Sequence, residues 1–241
     1  MHELSVGATL YKSVKRQILA GLASGEWKPG EVIPAEKRLS QQFGVSIGTL
    51  RKAIDELVAE NILIRHQGRG TFVAMQSRDH HLFHFFSVVR QDGERASPSV
   101  SLVQFSKGKA DKEGCERLGI SSTAKVFRLT NTLSLQGAAV QIDEITLPEA
   151  LFAGLTEAQL RNRPSTLYSL YQVDFGLNVI RISERIRAAL ASAAQARLLN
   201  VKPHSALLET HRTAFSYNNQ PIEYRVSYLN TAHHEFAPRE V

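Results

Sequence analysis

The stretch from Pro34 to Val73, PAEKRLSQQFGVSIGTLRKAIDELVAENILIRHQGRGTFV, constrains the fold more than any other part of the chain. It reads as a short helix, a tight turn, a longer helix and a two-stranded ribbon. Gly44 stands where the chain must turn and accepts backbone angles that other residues avoid. Ser46 follows, placed to cap the next helix by accepting from its unpaired backbone N–H groups. Leu50, Ile54, Leu57 and Val58 then recur at helical spacing, which leaves Thr49, Arg51, Lys52 and Asp55 on or near the open faces. Ile62-Leu63-Ile64 and Thr71-Phe72-Val73 flank a polar tip, His66-Gln67-Gly68-Arg69-Gly70, and predict a hairpin. Helix, turn, helix and hairpin make a winged helix, an arrangement that sets one helix into a DNA major groove.

The net charge of +6 favours polyanions only weakly, so the placement of the charges carries more information than their sum. Arg51, Lys52, Arg65 and Arg69 fall on the second helix and the ribbon, where a DNA-facing surface would lie. Gly68 and Gly70 have neither Walker spacing nor a strand-to-helix context, so they read as turn formers that let Arg69 project, not as a nucleotide cradle.

Upstream, residues 1–9 are expected to be a loose arm, and Tyr11 to Leu22 a helix with Val14, Ile18 and Leu19 on its inner side. Trp27 reads as a core plug, Pro29-Gly30 as a turn and Glu31-Val32-Ile33 as a short strand. Downstream, the polar run Met75-Gln-Ser-Arg-Asp-His80 has no periodicity. The expected organisation is therefore a head at 1–74, a linker at 75–81 and a second domain at 82–241.

His80, His81 and His84 invite a metal reading, but no cysteine lies near them and they read better as linker or surface histidines. No metal or cofactor is expected. The single cysteine, Cys115, excludes an internal disulfide, fits a reducing cytoplasm and lacks the context of a nucleophile. Neither a membrane-spanning run nor a signal peptide is apparent.

Within 82–241, strands are expected at Phe83–Val89, Val100–Phe105, Lys125–Leu133, Val140–Leu147 and Val179–Ala188. Ala206–Phe215 and Ile222–Leu229 read as a last hairpin that turns at Asn218-Asn219. Helices are expected at Asp111–Leu118, Leu155–Leu160, from Thr166 to near Phe175, and at Ala189–Leu199 with Leu190, Ala194 and Leu198 on one face. The class is α+β: a winged helix followed by a mostly antiparallel sheet with packed helices.

Residues 11–73 resemble the DNA-binding domain of the GntR superfamily of bacterial transcription regulators. The likeness rests on Gly25-x-x-x-Pro29-Gly30, Ile33-Pro34-Ala35-Glu36-Lys37-x-Leu39, Phe43-Gly44-Val45-Ser46-x-x-Thr49-Leu50-Arg51-Lys52-Ala53 and Gln67-Gly68-Arg69-Gly70-Thr71-Phe72-Val73, in that order. The resemblance implies homodimers on operators with two-fold symmetry. It implies DNA contacts from Lys37, Ser46, Thr49, Arg51, Lys52, Arg65, Gln67, Gly68, Arg69 and Gly70. Two positions depart from the family pattern: Ala35 replaces a capping serine, and Ile47 stands where arginine is usual.

Residues 83–236 resemble the UTRA effector domain of the HutC branch, whose fold is like chorismate lyase. The matching pieces are Thr146-Leu147-Pro148, Ser165-Thr-Leu167-Tyr168-x-Leu170 with Phe175-Gly176, Ala194–Leu199 before Val201, and Gln220-Pro221-Ile222-Glu223-Tyr224 through Phe236. This likeness implies a small-molecule sensor, with Arg128, Asn131, Ser165, Tyr168, Glu223, Arg225, Tyr228 and His233 as candidate effector contacts. Where sugar-phosphate sensors carry two arginines, this chain has Asn131 and Leu133, which points away from a phosphosugar. Glu223 and Arg225, two residues apart on a strand, share a face and suit a small polar or carboxylate-bearing molecule.

The expectation is a metabolite-responsive repressor of the cytoplasm, with no membrane partner. Its rivals are an effector-independent architectural DNA binder and a lyase-like enzyme.

Overall fold

The computed structural model describes residues 3–75, 86–93, 96–163 and 166–237, with side chains from Leu10 onward. Ser165, the three histidines at 80, 81 and 84, and the start of the strand expected at Phe83 lie outside the described residues.

The head begins with α1 (Glu3–Ser24), longer than the Tyr11–Leu22 helix expected from periodicity. The loose arm at 1–9 is therefore corrected from Glu3 onward. No proline interrupts ELSVGATL, so the helix propagates back from its packed half. Gly21 on α1 makes room for Trp27, since a side-chain carbon there would lie 2.8 Å from the indole ring.

Next come α2 (Glu36–Phe43), α3 (Ile47–Ala59), β1 (Leu63–His66) and β2 (Gly70–Val73). Gly44 ends α2 with φ 64° and ψ 34°, the left-handed conformation that the turn requires. Ser46 caps α3 and accepts from the Thr49 N–H, whereas Ala35 gives α2 no side-chain cap. Val32 bridges to Phe72 and adds a third, minimal strand to the wing. Val14, Ile18, Leu39, Leu50, Ile54 and Leu57 form the buried centre of the head.

The second domain is built on a six-stranded antiparallel sheet of β4 (Ser99–Lys109), β5 (Lys125–Leu135), β6 (Ala138–Pro148), β7 (Arg181–Leu190), β8 (Ala206–Phe215) and β9 (Pro221–Asn230). Its spatial order is β4-β5-β6-β9-β8-β7. A separate ribbon pairs β3 (Val88–Arg90) with β10 (His234–Phe236). The helices are α4 (Lys112–Leu118), α5 (Glu157–Asn162), α6 (Leu167–Phe175) and α7 (Ala193–Leu199).

Several boundaries differ from expectation, three of them for identifiable reasons. The alanine-rich run does not start a helix at Ala189. Residues through Leu190 stay in β7 because they pair with β8, and α7 starts only after Ser192, whose capping box with Gln195 fixes the end. Leu190 therefore does not share a helix face with Leu198. A second capping box, Thr156 with Gln159, moves the start of α5 to Glu157. The strand expected at Val100–Phe105 is extended at both ends, because β4 pairs with β5 from Ser99 to Lys109.

The two faces of the sheet are covered differently. Phe127, Leu129, Ile145 and Leu147 meet Phe152, Leu160, Tyr168 and Tyr171 on the α5–α6 side. Further along the same face, Leu133 and Leu229 pack under Phe86, Val88 and Phe236 of the β3–β10 ribbon. On the opposite face, Ile142 and Leu207 pack against Ala196 and Leu199 of α7.

The two parts of the chain meet at the tip of the β8–β9 hairpin. Asn218 and Asn219 turn the chain at φ 58° and 57°. Tyr217, only 5% exposed, enters the core of the head beside residues such as Trp27 and Leu22. Its hydroxyl accepts from Asn178 Nδ2 at 2.8 Å, and Gln172 Nε2 donates to the Ala74 carbonyl at 3.3 Å.

Candidate functional site

The open surface of the head gathers most of the candidate DNA contacts. The α3 face carries Ile47, Arg51 and Asp55, spaced one turn apart. Ser46 Oγ lies 2.9 Å from Thr49 Oγ1 and 3.2 Å from its backbone nitrogen, so both hydroxyls sit at the helix N-terminus. Arg51 Nε donates to Glu36 Oε2 at 2.6 Å, and Arg65 bridges Asp55 at 2.5 Å and Glu36 at 3.4 Å. These are exposed pairs, screened by water and worth little, so phosphate can displace the carboxylates. Lys52 Nζ rests 4.4 Å from the Tyr11 ring centroid, and the Arg69 guanidinium carbon lies 5.8 Å from that of Phe72. Lys37, Gln67, Gly68 and Gly70 are exposed.

The second site is a polar stripe across the sheet, between the apolar patches under α5–α6 and under the ribbon. Side chains alternate across a strand, so Asn131 on β5, Asp143 on β6, Arg225 and Ser227 on β9, and Arg212 on β8 all point to one face. Arg225 grips Glu223 with two parallel bonds, Nε to Oε1 at 2.9 Å and Nη2 to Oε2 at 3.0 Å. Its Nη1 donates to Asp143 Oδ2 at 2.8 Å. Tyr171 and Tyr168 donate to Glu223 at 2.6 and 3.2 Å. Ser227 and Gln141 each donate to Asp143 Oδ1 at 2.7 Å. Arg212 pairs with Glu184 at 2.8 Å.

Burial, reinforced by the Glu223 charge, raises the Tyr168 phenol to about 12, so both tyrosines act as donors and not as phenolates. Of the buried side-chain polar atoms among the described residues, only Asn131 Oδ1 has no hydrogen-bond partner.

The stripe borders a cavity of about 30 Å³ lined by Asp143, Arg212, Arg225 and Ser227 beneath Phe86 and Phe236. That is room for a water molecule and too little for a metabolite. Phe86, Val88 and Phe236 line the cavity from the side of the β3–β10 ribbon.

Of the candidate effector residues, the fold brings together Asn131, Tyr168, Glu223 and Arg225. It does not bring Arg128 or Tyr228 to them. Arg128 is three residues from Asn131 and Tyr228 three from Arg225, so strand alternation turns both to the other face. Arg128 lies there in an open trough of about 400 Å³ with Glu144 and Tyr224. Also on that face, His211 Nδ1 lies 2.6 Å from the Tyr224 hydroxyl, and His211 Nε2 meets Glu209. His233 is exposed at the bend before β10. Sequence reasoning missed Gln141, Asp143, Tyr171, Arg212 and Ser227. Asp143 and Gln141 carried a readable signal: they share strand parity with buried Ile145 and Leu147 and so are polar residues at inward positions.

A winged helix with basic side chains and the Ser46 and Thr49 hydroxyls on its open face, joined to a sheet with a buried polar stripe, fits a DNA-binding transcription regulator with an effector domain. Residues 10–73 match the family model described as "Bacterial regulatory proteins, gntR family", and residues 94–235 match the UTRA domain. The chain belongs to this GntR family, in its UTRA-bearing, HutC-like branch, and is a regulator and not an enzyme.

It is 30% identical over 225 residues to the "Probable fructoselysine utilization operon transcriptional repressor" of Escherichia coli (strain K12), covering 88% of this chain and 87% of that protein. It is 26% identical over 216 residues to the "Histidine utilization repressor" of Pseudomonas putida, covering 89% of this chain and 85% of that one. Among solved structures, the ligand-binding domain of a putative GntR-family regulator from Bordetella bronchiseptica superimposes with a TM-score of 0.61 at 26% identity. That match covers 64% of this chain and 96% of the other.

Proposed function

We propose that the chain is a cytoplasmic repressor that binds a two-fold-symmetric operator as a homodimer and leaves it when a small polar molecule occupies the stripe on the second domain. One observation carries the effector reading: a buried, fully interlocked set of carboxylates, guanidinium groups and phenols crosses an otherwise apolar sheet face, with the Asn131 amide oxygen unpaired at its edge. Buried charges pay a desolvation penalty even when paired, so a stripe this dense is weak evidence of a stabilising role and is better suited to binding.

The E. coli and P. putida relatives are named for fructoselysine and histidine, compounds that carry a carboxylate and hydrogen-bonding groups. A ligand of that kind competes with Asp143 and Glu223 for Arg225. Release follows only if the ligand binds the operator-free geometry more tightly than the operator-bound one.

The test is a thermal-shift screen of polar metabolites, followed by operator binding with and without each hit. Arg225→Ala is expected to abolish the response to a hit and Arg128→Ala to preserve it. A ligand bound at the stripe that leaves operator affinity unchanged removes the effector part of the reading. Because phosphate contacts dominate affinity, operator binding is expected to weaken steeply as salt is raised.

A further inference from the structure

The first turn of α3 combines two features that packing within the head does not require. Ile47 is 42% exposed, on the helix face that continues through Arg51 and Asp55. Gly48 stands beside it as the second residue of the helix, where alanine has the higher helix propensity. A side-chain carbon at Gly48 would meet nothing of the protein nearer than Ser46 Oγ at 3.9 Å. The backbone at Gly48 is therefore open to approach from outside the chain.

The bare backbone lets the helix tip approach a surface that any side chain would hold off, and Ile47 is the apolar group that leads the approach. Its neighbours on this surface are polar: Ser46 and Thr49 present hydroxyls, and Arg51 is drawn toward Glu36. A single exposed isoleucine is ordinary on a protein surface. Here it stands beside a glycine with open space around it, at the N-terminal end of the helix that carries Arg51.

Base edges in the major groove carry donors and acceptors at every position and one apolar group, the 5-methyl of thymine. We infer that Ile47, with the Gly48 backbone against the base edge, packs on a thymine methyl in each half-site and sets the base preference there. This rests on the DNA-binding reading above. An isoleucine has no donor for guanine O6 or N7, so it selects for thymine by contact and against guanine by leaving its acceptors unpaired.

The experiment is selection from random double-stranded DNA by the full chain and by Ile47→Arg. The wild type is expected to enrich thymine at one position of each half-site. Ile47→Arg is expected to enrich guanine at that position and leave the rest of the motif unchanged, because a guanidinium pairs with guanine O6 and N7. Uracil in place of that thymine in one half-site removes only the methyl and leaves the protein untouched. It is expected to weaken wild-type binding about fourfold, the worth of one buried methyl-sized group, and to weaken Ile47→Ala less. The same base enriched by both proteins, or uracil bound as tightly as thymine, overturns the inference while leaving the DNA-binding reading intact. A wild-type protein that enriches no sequence overturns the DNA-binding reading, and the inference with it.

Discussion

Arg225 holds two buried carboxylates, Asp143 and Glu223, with one guanidinium. Removing it by Arg225→Ala leaves both charges uncompensated and is expected to cost about 3–5 kcal/mol in urea unfolding. Adding Asp143→Asn and Glu223→Gln to that variant should recover most of the loss, because the penalty lies in the stranded charges. The same site predicts alkaline behaviour. The Tyr168 phenol rises from 10.0 to about 12 through burial and then the Glu223 charge, so the folded state keeps its proton where the unfolded chain loses it. The resulting stabilisation is complete below pH 10 and declines as pH rises from there toward 12. Tyrosinate absorbance and thermal unfolding measured across that range check the sign together. The Glu223–Arg225 pair was legible because two residues on one strand must share a face. Asp143 joins them from β6 through a strand pairing that no local pattern encodes.

Gly48 puts a price on the first turn of α3 that the fold itself does not require. Gly48→Ala fits the helical backbone and the open space around it, so it should raise stability by about 0.4–1 kcal/mol and lower operator affinity at the same time. Thermal unfolding paired with DNA binding reads both, and a parallel change in the two would oppose the close-approach argument. At the β8–β9 tip, Tyr217→Ala empties an aromatic position in the head core and is expected to cost about 3 kcal/mol, seen in calorimetry as an earlier unfolding of the head. Elements with strong local signals could be read directly: the helix-turn-helix through Gly44 and Ser46, and the final hairpin through Asn218-Asn219. The alanine-rich run at 189–199 misled because helix propensity is a weak prior. Pairing with β8 holds Ala189 and Leu190 in a strand until Ser192 supplies a cap.

Across the whole molecule, the winged helix and the antiparallel sheet were visible in the sequence, each carried by motifs in fixed order. The way they meet was not. Tyr217 sits in a Ser-Tyr-Asn-Asn-Gln stretch that reads as a solvated turn, and only the tertiary structure shows its ring inside the other part of the chain. That contact bears on how such proteins can be recombined. A fragment cut after Met75 carries the reading helix and wing but leaves behind the aromatic ring that completes its interior. The same head fused to a foreign sensor meets a foreign hairpin tip. For this chain the head and the sensor are therefore not independent cassettes: a chimera that keeps this head is expected to lose stability unless the incoming hairpin carries an aromatic residue of matching reach.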